Sequence, residues 1–266
     1  MNIYKQVFLL GLKKSFRYRI NFFLELIGFI FPLTIQYFLW TGVFSASGNN
    51  ITFGYTLNQM LAYSIFACLT SRIISSNFVY EINSDIKEGG LAKYLIRPVN
   101  YFSYNLFSYL GEKIGTIITS LIMILVLCVI FYTISSNIIS ISHIILYLIT
   151  LILSLILNFY IYYCISELGF WMKDASGAIF ITTLVGNIVS GGIFPLDIFG
   201  DMVKSILTFL PFSYTSYFPV SILCNTMEYS QILKGICMQI LWIFIFVIIT
   251  PRLWGVGLKK YVAIGG

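Results

Sequence analysis

Apolar stretches of membrane-spanning length recur along this chain of 266 residues, near 22–44, 57–79, 114–134, 144–166, 178–194 and 232–250. A helix needs about 20 apolar residues to cross a hydrocarbon core of about 30 Å. Only helices and closed barrels pair every backbone polar group inside that core. The pattern therefore predicts an all-α membrane protein with six transmembrane helices, in a single domain over 1–266. Charge density agrees, since Asp, Glu, Lys and Arg make up 10% of the chain, against about 25% in soluble domains. Pro32 in the first stretch predicts a kink, and Pro251 is expected to close the sixth.

The positions of the cations set an orientation. Lys5, Lys13, Lys14, Arg17, Arg19, Lys87, Lys93, Arg97, Lys113, Lys173, Arg252, Lys259 and Lys260 fall on one side of the spans, whereas Lys204 and Lys234 fall on the other. By the positive-inside rule both termini are expected in the cytoplasm. The same clustering beside spans argues against nucleic-acid binding despite a net charge of +6, because no basic face with interleaved aromatics stands apart from an apolar run. Residues 1–20 show no signal-peptide pattern. As a helix they place Tyr4, Val7, Gly11 and Tyr18 opposite Asn2, Gln6, Lys13 and Arg17, as expected of an interfacial helix at the inner surface.

The longest polar interval between spans is EINSDIKEGGLAKYLIRP at 81–98, on the cytoplasmic side. Helical spacing puts Phe78, Ile82 and Ile86 on one face, and Glu81, Asp85 and Glu88 on a second. Gly89 and Gly90 supply a left-handed helix stop. A short helix with an acidic stripe is suited to docking a protein, its isoleucines seating in a pocket of the partner; a solvated loop helix is the plain alternative.

Between the fifth and sixth runs, Phe199, Met202, Val203, Ile206, Leu207 and Leu210 recur at helical spacing, bounded by Pro195 and Pro211. Short re-entrant or interfacial helices are expected there on the outer side, with Phe212, Tyr214, Tyr217 and Phe218 as an aromatic belt. In the fifth run Ala178, Thr182, Gly186 and Ser190 repeat every fourth residue beside Thr183 and Asn187. Small residues so spaced permit close helix contact; a substrate path is the other reading of Thr183, Gly186, Asn187 and Ser190. Arg72 lies within the second run, Glu25 begins the first and Glu167 ends the fourth. Arg72 either snorkels to the surface or serves as an intramembrane charge, with Glu25 as a candidate partner.

Catalytic chemistry has little to draw on. There is no G-x-x-x-x-G-K-[ST], so nucleotide is not expected on a P-loop. The one histidine, His143, lacks clustered ligands for a metal, and the five cysteines are scattered as packing thiols. Neither an enzyme nor a metal protein is expected.

Three segments carry a resemblance over essentially the whole chain: EINSDIKEGGLAKYLIRPVNYFSY after the second run, GGIFPLDIFGDMVKSILTFLPFSYTSYFPV after the fifth, and the tail WGVGLKKYVAIGG. The chain resembles the permease subunits of ABC-2 type exporters, in particular bacterial permeases of this length that work with a separate ATPase. The resemblance implies that Glu81, Ile82, Asp85, Ile86, Glu88 and Gly89 form the coupling helix that docks on that ATPase. It also implies two ATPase subunits, a second permease (a different chain or a second copy) for which Arg72, Thr183, Gly186, Asn187 and Ser190 are the candidate contact if they do not line a substrate path, and a place in the bacterial cell membrane. ATP and Mg would be held by the ATPase and no cofactor by this chain. Substrates across such transporters include drugs, antibiotics, peptides and lipids. A stand-alone secondary transporter, or a non-transporting immunity or assembly scaffold, are the competing readings.

Overall fold

The computed structural model describes residues 3–17, 19–134, 141–172, 174–224 and 226–261, with only the backbone for 16–27, 29, 128 and 130–134 within them. The side chain of Glu25, considered as a partner for Arg72, lies outside the described residues. So does most of the loop expected at 135–142.

The described residues are all-helical, without strands. Helix α1 (Ile3–Arg17) is followed by α2 (Arg19–Ser47) and α3 (Leu57–Ile74). Two short helices come next, α4 (Phe78–Lys87) and α5 (Ala92–Leu95), and then the long α6 (Tyr101–Ile134) and α7 (Ile141–Ser166). A 3₁₀ turn at Glu167–Phe170 leads to α8 (Ser176–Val189), α9 (Gly200–Phe209), α10 (Tyr217–Leu223) and α11 (Tyr229–Leu258).

Three stretches among the described residues are long and apolar enough to cross a membrane: Tyr101–Leu127, Ile141–Phe170 and Tyr229–Leu258. A fourth crossing exists if Leu196–Phe209 and Pro211–Leu223, bent by 87°, form one broken span rather than a re-entrant loop. The expected short helix after the fifth run is present as α9, and Pro211 opens the 3₁₀ turn beyond it.

Boundaries differ from the sequence expectation for local reasons. Helix α3 has 18 residues and ends at Ile74 instead of running to 79. Helix α6 starts well before 114, because the Asn100 side chain accepts the Ser103 amide at 3.0 Å and so caps it. Helix α11 runs through Pro251, which therefore does not close the run at 232–250 as expected. Proline removes the bond to the carbonyl four residues back, and the next carbonyl, that of Ile248, accepts the Arg252 guanidinium at 3.0 Å. Helix α8 has only 14 residues, about 21 Å at the usual rise, too short to cross alone.

Helix α1 lies along the first part of α6 on the face expected from its pattern. Val7 and Gly11 are buried, and the Tyr4 ring stacks on Phe107 at 5.5 Å. A Cβ on Gly111 would collide with the Phe8 carbonyl, so glycine lets the two backbones touch. The core sits where α3, α4, α6, α7 and α11 meet. There Phe159 of α7 packs on Phe78 of α4 at 4.8 Å and on Tyr109 of α6 at 5.4 Å. The aromatic belt expected at Phe212, Tyr214, Tyr217 and Phe218 is corrected for the last two, while Phe212 and Tyr214 are half-buried. Tyr217 and Phe218 are buried with the rest of α10, because α10 is enclosed by α3, α7 and α11 rather than facing lipid headgroups.

Candidate functional site

The end of α3 is the point from which the site is built. Its last carbonyls have no helical partner, and side chains from neighbouring helices take their place. The Ile74 carbonyl accepts the Tyr109 hydroxyl at 3.2 Å and the Asn158 amide. Asn158 also donates to Ser76 Oγ at 2.7 Å, and the Lys113 ammonium to Ser75 Oγ at 2.6 Å and to the Arg72 carbonyl at 3.4 Å. A cation at a helix C-terminus is favoured by the helix dipole. Residues 75–77 thus form a supported joint between α3 and α4.

Helix α4 then runs with one face on the body of the protein. Ile82 is 0% exposed and Ile86 6%, and both belong to the main core. A Cβ on Gly169 would reach ordinary contact with Ile86 and a close approach to Asn83 Oδ1. The isoleucines expected to seat in a partner's pocket are therefore already seated in this chain, because the 3₁₀ turn at Glu167–Phe170 packs against α4. That is a correction of their role.

The acidic stripe is partly engaged as well. Asp85 accepts the Tyr101 hydroxyl at 2.8 Å and the Lys93 ammonium at 3.4 Å. Lys14 of α1 lies 3.4 Å from Glu81 and 3.0 Å from Glu112. Glu88 is exposed and makes no side-chain hydrogen bond or ion pair among the described residues. Lys87 pairs with Asp174 at 2.9 Å. Hydrogen bonds from the Ser176 hydroxyl and from Lys87, then from the Ser176 amide, hold the Asp174 carboxyl far below the usual range. The tether is ionised at any cellular pH.

Gly89 has φ of 79°, the left-handed stop expected of it, and the Leu91 amide turns back to the Asp85 carbonyl at 2.8 Å. Beyond that turn the chain presents its apolar residues outward. Ile96 is 84% exposed, beside exposed Leu95 and Arg97.

The joint also forms one wall of a cavity of about 290 Å³. Ser75, Ser76, Asn77 and Tyr80 contribute from the joint and α4, and Thr183, Gly186, Asn187 and Ser190 from α8. No Asp, Glu, Lys, Arg or His lines it, so it offers hydroxyls, amides and aromatic faces to a polar, uncharged group. Within α8, Thr183 donates to the Ile179 carbonyl at 2.8 Å and Ser190 to the Asn187 carbonyl at 3.0 Å, and the Tyr162 hydroxyl pairs with Thr183. Gly186 and Ser190 are buried, with Tyr162 and Phe212 against Gly186. These two face inward in this chain, not outward toward a second permease. Arg72 is not in the cavity wall, although Cys68 and Ser71 of the same helix are.

Glu167 was legible only as the end of a span. It is 1% exposed, and neither carboxyl oxygen has a hydrogen-bond partner among the described residues. Burial of that kind leaves no sequence signal, since an acid after an apolar run more often faces water. Among the described residues no group of acids, histidines and cysteines is arranged to hold a metal.

Residues 30–265 match a family model described as ABC-2 family transporter protein. No curated protein matches the chain.

Proposed function

The chain belongs to the ABC-2 transporter family, and from that premise we propose that it is the permease subunit of an exporter driven by a separate ATPase. It is a membrane transport protein. In this reading it has six spans, with α2, α3 and the 178–194 run, which α8 begins but does not fill, completing the set, and with both termini in the cytoplasm. It assembles with a second permease, a different chain or another copy, and with two ATPase subunits that hold ATP and Mg.

The observation that carries the reading is the continuity between α4 and the cavity. Residues 75–77 and Tyr80 belong at once to the cavity wall and to the joint from which α4 hangs. A push on α4 is transmitted rigidly, because its apolar face is locked to the body by Ile82 and Ile86. Movement at the joint changes the cavity directly. The uncharged lining supports a substrate with a neutral polar face, among drugs, antibiotics, peptides or lipid-like molecules.

The docking surface is the outward side of the 81–98 segment. Leu95 and Ile96 are its apolar anchors, and Glu81 and Glu88 its charged rim. A fully buried Ile contributes about 1.5–3 kcal/mol, against about 0–1 kcal/mol for an exposed ion pair, so Ile96 dominates.

The test is purification of the tagged full-length chain from its native membrane, followed by identification of bound proteins and measurement of ATPase activity in vesicles. An ATPase with a Walker A sequence is expected to co-purify with wild type and to be lost with Ile96→Asp. Asn187→Trp is expected to keep the ATPase bound while abolishing transport. A chain that purifies without any ATPase under conditions that preserve the membrane complex sinks the proposal.

A further inference from the structure

The two cations placed on the outer side, Lys204 and Lys234, stand 30 positions apart on α9 and α11, yet both line one cavity of about 410 Å³. Asp197 is the single carboxylate in its wall. That carboxylate is already saturated: Lys204 reaches one oxygen at 2.6 Å, and the Tyr55 and Tyr217 hydroxyls donate to the other at 2.7 and 3.1 Å. Lys234 has no ion-pair partner among the described residues, so two lysines and one carboxylate line the wall. Glu228, outside the wall, caps α11 on the Gln231 backbone amide, and its own amide donates to the Gln231 side-chain oxygen, which leaves the Gln231 side-chain nitrogen facing the cavity residues.

The rest of the wall is not that of a simple anion hole. Gln231, Lys234 and Met238 share one face of α11 at i, i+3 and i+7. Met227 and Phe218 add apolar surface beside them. Thioether side chains adapt to flexible apolar groups, and the volume falls within the usual range for small-molecule sites of about 300–1,000 Å³.

We propose that this cavity binds an anionic amphiphile, with its phosphate or carboxylate head on Lys234 and Gln231 and its apolar tail along Met227 and Met238. Two sources share that chemistry, a bilayer phospholipid and a free single-chain amphiphile. The site is distinct from the uncharged cavity at α8 and needs no ATPase, so its failure is separable from failure of the transport proposal.

The experiment is native mass spectrometry of the full-length chain in detergent, titrated with phosphatidylglycerol, phosphatidylcholine, dodecyl phosphate and inorganic phosphate. Wild type is expected to bind phosphatidylglycerol or dodecyl phosphate at least fivefold more tightly than phosphatidylcholine. Lys234→Gln removes that preference, Lys234→Arg keeps it, and Lys259→Gln, at the far end of α11, leaves it unchanged. Phosphatidylglycerol binding identifies the bilayer as the source. Binding of dodecyl phosphate alone identifies a free amphiphile. The proposal is overturned if Lys234→Gln binds as wild type does, if Lys259→Gln is equally impaired, or if inorganic phosphate alone binds as tightly as dodecyl phosphate.

Discussion

The Tyr101 hydroxyl donates to Asp85 across 2.8 Å, and this bond ties α4 to the start of α6. It also continues into α11, because the Tyr101 ring stacks on Trp254 at 5.3 Å. An acid read from the sequence as part of a docking stripe is thus also an internal strut. Hydrogen bonds to charged groups contribute about 1.5–3 kcal/mol when sheltered, and the partial exposure of Asp85 reduces that. Tyr101→Phe is expected to lower the melting temperature by a few degrees and to reduce coupled ATPase activity while leaving ATPase binding intact. Unchanged coupling would show that the strut carries no force.

Two isoleucines separate folding from docking. Ile86→Asp places a charge in the core beside Gly169, at a cost of several kcal/mol, and is expected to abolish accumulation of folded protein. Ile96→Asp is expected to leave yield and melting temperature unchanged and to lose the ATPase. Size-exclusion profiles and co-purification distinguish the two. Equal loss of folded protein from both variants would contradict the exposure of Ile96.

Asn158 supports the joint through Ile74 and Ser76. Asn158→Leu leaves a buried carbonyl with one donor fewer, costing about 1–3 kcal/mol. Faster proteolysis or cysteine labelling at 75–77 is the expected sign of a loosened joint. Protection equal to wild type counts against this role.

Glu167 is buried without a hydrogen-bond partner among the described residues, which is unfavourable for a carboxylate. Glu167→Gln is expected to match or exceed wild type in thermal stability, and Glu167→Lys to fall below it. A clear loss of stability in the glutamine variant would mean the negative charge itself is required.

The orientation follows from the cation distribution. Cysteines placed at Asn49 and Glu228 are expected to react with an impermeant reagent outside intact cells, and one at Lys259 to stay unlabelled. Outside labelling at Lys259 reverses the topology.

Apolar run length was legible in the sequence because bilayer thickness acts on each segment separately, whatever its neighbours. The helical class followed from run length, and helical spacing and glycine's left-handed freedom gave the Tyr4–Val7–Gly11 face of α1, the stop at Gly89 and the helix now seen as α9. What tertiary structure decided was which surface each helix spends on its own chain. The pattern of α4 marked Ile82 and Ile86 as one apolar face but had no means of saying whether a partner or the Glu167–Phe170 turn would cover it. The α8 stripe likewise marked closeness without showing that Gly186 and Ser190 would line a cavity with residues 75–77. Helix periodicity fixes the direction of a side chain about its own axis; the occupant of that direction depends on long-range packing, which local spacing does not encode.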